Sequence, residues 1–176
     1  MHLPLVLPPV VTGYLLLIVF GKQGAVGGFL YDWFGITLAF RWTGAALAAA
    51  IMGFPLMVRA IRLGFEAVDA GLEDAARTLG ASRARVFGTV TLPLVMPAIL
   101  AGAVLGFAKA LGEFGATITF VAAIPGQTQT IPSAIYGLLQ VPNQESDVIV
   151  LVSISVALAM GALVASEWLA RRMVAR

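Results

Sequence analysis

Four stretches of the chain run without a charged side chain: Leu3–Phe20, Trp42–Val58, Val86–Ala108 and Val148–Ser166, of 18, 17, 23 and 19 residues. A helix rises ~1.5 Å per residue, so ~20 residues cross the ~30 Å hydrocarbon core of a bilayer. Backbone N–H and C=O groups in lipid must pair within the chain, so such stretches are predicted to be helices. The pattern predicts an all-α, polytopic bundle, one domain over 1–176, with spans at about 3–20, 36–58, 93–112 and 148–169. The second span reaches back through Gly35–Phe40 if Arg41 carries its head group to the interface or to protein. Pro4, Pro8 and Pro9 make the start of the first irregular. Phe114–Gln144 has 31 residues without a charge, but Pro125, Pro132, Pro142, Gly115, Gly126 and Gly137 interrupt it. It reads as part of an external loop, about 113–147, with a short amphipathic or re-entrant piece near Ile131–Leu139. The alternative is a fifth span.

Composition turns this into a membrane assignment. Hydrophobic residues make up 60% of the chain and charged residues 11%, against roughly 25% charged in a soluble domain. Mean hydropathy is +0.95. Eleven basic and nine acidic side chains are too few to cover a soluble surface. The absence of cysteine excludes a disulfide framework, a thiolate nucleophile and Cys-based metal sites. His2 is the only histidine and stands at the terminus, which excludes a His cluster. No basic residue precedes Lys22, so a secretory signal does not fit; the chain starts just ahead of a span.

Net charge is +2, but the basic residues are scattered and not interleaved with aromatics, so nucleic acid is not an expected partner. Their placement is informative. Arg59, Arg62, Arg77, Arg83 and Arg85 fall between the second and third spans, Arg171, Arg172 and Arg176 in the tail, and no Lys or Arg lies between Lys109 and Arg171. Positive charge accumulates on the cytoplasmic side. Residues 59–92 and the C-terminus are therefore predicted to be cytoplasmic, and 21–35 and 114–147 external.

The cytoplasmic segment has its own pattern. Val68, Leu72, Ala75, Ala76 and Leu79 recur at helical spacing, with Glu66, Asp69, Glu73, Asp74 and Arg77 on other faces. Gly80 follows where a helix C-terminus favours positive φ. Ser82 can cap a second helix, in which Val86, Phe87 and Val90 form an apolar stripe behind Arg83 and Arg85. Pro93 and Pro97 lead into the next span. Two readings of this helix–glycine–helix elbow are open. It can lie on the headgroups with its arginines near anionic lipid. It can also be a docking knob, whose small residues Ala75, Ala76, Gly80 and Ala81 admit a partner's backbone and whose Glu73 and Asp74 meet basic groups on it.

The run Glu73-Asp74-Ala75-Ala76, then Gly80, then Leu92-Pro93 resembles the EAA loop of permease subunits of bacterial ABC importers, whose pattern is E-A-A, three residues, G, a spacer and L-P. Asp74 stands where the first alanine is usual. Ala108–Thr117, Ile124–Pro132 and the opening His2–Val11 are similar to the molybdate permeases of that superfamily, and the resemblance runs along essentially the whole chain. Members carry one more helix ahead of the segment matching Leu3, so the resemblance implies a shortened N-terminus. It also implies a multi-pass subunit of the bacterial cytoplasmic (inner) membrane, in which two copies form the pore. Two ATPase subunits, using ATP and Mg, would grip the loops through Glu73, Asp74, Ala75, Ala76, Gly80, Leu92 and Pro93. An external binding protein would deliver molybdate or tungstate. Sulfate or thiosulfate is the alternative cargo.

No G-x-x-x-x-G-K-[S/T] stretch is present, so no nucleotide or other cofactor is expected on this chain, and none of its residues is expected to be catalytic. Intramembrane proteolysis would need H-E-x-x-H, paired membrane aspartates or Ser with His in the membrane. Asp32 and Asp147 flank spans, and the only histidine is His2. A stand-alone channel or scaffold with a lipid-binding hairpin is the remaining rival. A dianion crossing low dielectric needs partial positive charge without tight binding. Lys109, Glu113, Gly115, Thr117 and Thr119 are the path or gate candidates. Against this, Lys109 and Glu113 stand four apart on one helix face and suit a structural pair, and the glycines suit close helix packing.

Overall fold

The computed structural model describes residues 7–174, with side chains as far as residue 169. His2, Leu3–Val6 and the side chains of Arg171, Arg172 and Arg176 lie outside that description. All regular structure among the described residues is helical: α1 (Pro9–Phe20), α2 (Ala25–Phe34), α3 (Trp42–Glu66), α4 (Ala70–Thr78), α5 (Arg83–Leu111), α6 (Gly115–Val121), α7 (Ile131–Leu138) and α8 (Glu145–Val174). Within α5, Phe87–Thr91 is a π turn.

Three helices, α3, α5 and α8, are each long and apolar enough to cross a membrane. They correspond to the second, third and fourth predicted spans. The first differs. Pro9 opens α1, its missing N–H harmless at a helix start, and Gly21 closes it after 12 residues, ~18 Å and short of a bilayer core. The chain then turns at Gly21–Gly24 and resumes as α2, bent by 44° from α1. Residues 21–35, expected only to be external, are thus largely helical. Lys22, in that turn, lies 4.0 Å over the Tyr31 ring, a cation–π contact that folds the turn back onto α2.

The second span begins later than its expected start near 36. Phe40 has φ of +58°, and α3 starts at Trp42. It then continues through Arg59 and Arg62 to Glu66, where Arg62 Nε donates to Glu66 Oε1 at 2.7 Å. On α8, no part of the apolar span is buried among the described residues.

The chain forms two compact units. One comprises the residues up to Pro55 with Phe107–Ala159. Its core holds Leu16, Ala48, Met52, Ala116, Phe120 and Val121. Three of these belong to α6, inside the stretch expected to be an external loop, and Ala116, Phe120 and Val121 are fully enclosed. The reason is close approach: an added Cβ on Gly13 of α1 would sit 2.5 Å from the Ala116 carbonyl oxygen, so α1 and α6 meet backbone to backbone. The turn after α6 is tied by buried Thr128, whose Oγ1 lies 3.1 Å from the Val121 carbonyl and accepts from Ile124 N at 3.0 Å. Ala122 is thereby held at φ of +60°. The re-entrant-type piece expected near Ile131–Leu139 is α7, whose N-terminus is closed by a Thr130–Ser133 capping box.

The other unit comprises Leu56–Gly106 and the chain from Met160. Here the end of α3 packs on α5, with Ala98 against Gly64 and Met57 against Gly106. Val86 and Val95 are buried, and the Phe65 and Phe87 rings stack with centroids 6.5 Å apart.

Candidate functional site

The elbow forms where its local chemistry dictates. Asp69 caps α4, its Oδ1 accepting from Gly71 N at 2.8 Å. Glu73 in the first turn and Arg77 in the last both complement the helix dipole. At the other end, Ala81 N donates to Ala76 O at 3.2 Å and Gly80 N to Arg77 O at 2.9 Å. This is the paired bonding of a Schellman stop. It requires a left-handed residue, and Gly80 has φ of +84°. Ser82 then caps the start of α5, as expected.

None of α4's residues is buried. Leu79 at the tip is 89% exposed, and Asp74, Ala75 and Gly80 are exposed as well. Of the predicted apolar stripe, Leu72, Ala75 and Leu79 are exposed, and Val68 and Ala76 are half-buried. The two acids differ. Asp74 is an outward carboxylate, 68% exposed, held by Arg77 at 2.9 Å. Glu73 is turned inward: Oε2 lies 3.2 Å from Arg77 Nη2 and Oε1 accepts from Thr91 Oγ1 at 2.6 Å. Expected as a charge offered to a partner, Glu73 already has partners within the chain. Counting back from Gly80 over Thr78-Leu79 and Arg77 sets Asp74-Ala75-Ala76 in the E-A-A places, which corrects the register that began at Glu73. Leu92 is half-buried and Pro93 exposed, one and two residues past Thr91. Sequence reasoning did not find Thr91; only its place beside Leu92-Pro93 could have drawn notice.

The path candidates form a second cluster at the α5–α6 junction. Lys109 Nζ donates to Glu113 Oε2 at 2.9 Å; the Glu113 side chain is 1% exposed and that of Lys109 31%. Glu113 Oε1 accepts from Ala116 N at 2.9 Å and so caps α6. Thr117 gives its hydroxyl proton to the Phe114 carbonyl at 2.9 Å, and Thr119 to that of Gly115 at 2.8 Å. Neither hydroxyl has a proton left for an anion. Gly115 packs on Pro9, where an added Cβ would lie 2.7 Å from the Pro9 Cβ. In this cluster the packing reading holds for Gly115, and Lys109 is the group with donors to spare. No group of His, Asp or Glu suited to a metal occurs among the described residues.

Residues 1–175 match the model of one protein family, the binding-protein-dependent transport system inner membrane component. The chain belongs to that family. Within it, the chain is 67% identical over 171 residues to the molybdenum transport system permease protein ModB of Escherichia coli K12, covering 97% of this chain and 75% of the relative. With the Haemophilus influenzae ModB it shares 57% over 172 residues, 98% of this chain and 75% of that one. The sulfate transport system permease protein CysT of Salmonella typhimurium is 39% identical over 140 residues, 80% of this chain and 50% of the relative. An all-helical permease with several apolar helices is thus a multi-pass membrane transport subunit.

Proposed function

We propose that this subunit lines the pore of an ATP-driven importer carrying molybdate across the bacterial inner membrane. The carrying observation is the 67% identity to a molybdenum transport permease over 97% of the chain. The 39% identity to a sulfate transport permease favours sulfate less. In this reading two copies pair around the path, an external binding protein supplies the oxyanion, and two ATPase subunits hydrolyse ATP. Lys109 is the cation of the path.

The elbow's part follows from its surface. An uncovered helix with an exposed leucine tip and an outward carboxylate suits a socket that is apolar at its base and basic at its rim. An ATPase pair can drive the pore only by binding its two states with different free energy, so the grip must be on something stiff. The Schellman stop supplies a fixed angle.

Two results test this. In membranes carrying the full complex, uptake of labelled molybdate is expected to survive a hundredfold excess of sulfate, and its suppression by sulfate would overturn the choice of cargo. Gly80→Pro forces φ to about −65° where the elbow needs +84°. It is expected to reduce capture of the ATPase subunit more than tenfold while the helical circular-dichroism signal is kept. Undiminished capture would sink the knob.

A further inference from the structure

We infer that Glu73 and Thr91 form a latch that fixes α4 to the start of α5, making both positioning residues for the transmission of force from the elbow into the membrane helix. The inference rests on the importer reading above and adds a part that reading does not contain.

Three observations carry it. First, α4 is only lightly held: no residue of it is buried, and it contacts the start of α5 and the π turn there, so its pose depends on the Gly80–Ala81 turn and on side-chain bonds to that region. Second, the Glu73–Thr91 bond joins residues 18 apart in sequence at 2.6 Å, with Thr91 only 6% exposed. An O–H···O⁻ bond this short, part-buried between the two helices, is of the strong class. The exposed Arg77–Asp74 and Arg77–Glu73 pairs contribute little stability themselves; Arg77 holds one oxygen of Glu73 while the other meets Thr91. Third, Thr91 closes the π turn Phe87–Thr91.

That turn has a cause in the sequence. Pro93 lacks an N–H, and in a regular helix its ring would press on the carbonyl four residues back, that of Thr89. The wider turn relieves this, with Leu92 N bonded to Phe87 O. Thr89 Oγ1 donates to Arg85 O at 2.7 Å, which secures the same turn from the other side. The latch therefore closes on the point where the elbow's second helix becomes the membrane helix. A pull on α4 is delivered there, ahead of Pro93, and is not dissipated by rotation about the glycine turn.

The test uses the full chain and the reconstituted complex with its ATPase and binding protein. Thr91→Val removes the hydroxyl at constant shape, and Thr91→Ser restores it. Thr91→Val is expected to speed amide hydrogen exchange at Gly80 and Ala81 by about tenfold, in line with loss of a hydrogen bond to a charged acceptor. It is also expected to lower molybdate transported per ATP several-fold while ATPase capture stays within twofold of wild type. Thr91→Ser is expected to recover both. The latch is overturned if Thr91→Val leaves exchange or the transport ratio unchanged, if Ser behaves as Val does, or if capture falls together with transport. A wild-type complex that takes up no molybdate would sink the importer reading instead, and the exchange comparison would still decide whether the bond holds the elbow.

Discussion

Lys109→Met is expected to destabilise the subunit by ~3–5 kcal/mol, the usual cost of leaving one member of a buried ion pair alone. That is a large share of the ~5–15 kcal/mol by which folded proteins are stable. Glu113 is the reason. Its carboxylate is 1% exposed and has two partners, the Lys109 ammonium and the Ala116 N–H. With methionine in place, a charge stays enclosed beside one neutral donor. Adding Glu113→Gln is expected to restore most of the loss, because the amide oxygen can still accept from Ala116 N and no charge remains. Thermal unfolding of the detergent-solubilised subunit measures both variants. A single mutant as stable as wild type would refute the pair's structural role. The double mutant also separates two functions, since it should be folded. If Lys109 is the cation of the path, that folded protein is expected to transport at least tenfold more slowly, and normal transport would remove Lys109 from the path.

What the sequence made legible was what depends on neighbours in the chain. The three long spans follow from uncharged length. The elbow follows from Gly80 and Ser82, whose turn and capping roles are local and came out as expected; Asp69, expected only on a helix face, is the cap of α4. What was illegible depends on partners far away in sequence. Helix α6 has seven residues, too few to announce a span, and between glycines and prolines it read as loop; the surface of α1 makes it core. Helix α2 was hidden behind a lysine whose charge is turned onto Tyr31. Glu73 and Asp74 are adjacent acids, and no local rule says which faces inward. Thr91, 18 residues later, decides it. The hydroxyls of Thr117 and Thr119 are a different case. Threonine on a helix commonly bonds the carbonyl three or four residues back, so their unsuitability as free donors was readable from local chemistry.

Gly13→Val is expected to abolish the native packing of α1 on α6, either by preventing accumulation of folded subunit or by lowering its unfolding midpoint by more than 10 °C. A Cβ at Gly13 would lie 2.5 Å from the Ala116 carbonyl oxygen, 2.8 Å from the Ala116 Cα and 2.9 Å from the Thr119 Cβ. None of these is the far end of a flexible side chain, so the helices themselves must part. Overpacking of this kind costs ~1–3 kcal/mol in soluble cores. Here the cost is greater, because helices in lipid associate through close backbone approach and gain little from hiding apolar surface. Parting α1 from α6 also strips contacts from Leu16 and Phe120 in the core. Two comparisons make the prediction sharp. Gly161→Val on α8, where an added Cβ meets nothing within 4 Å, is expected to leave the midpoint unchanged. Combining Gly13→Val with Ala116→Gly is expected to give no rescue, since the nearest obstacles at position 116 are backbone atoms that the second substitution leaves in place. Recovery in that double mutant would mean that side-chain bulk, not backbone proximity, sets the spacing of the two helices.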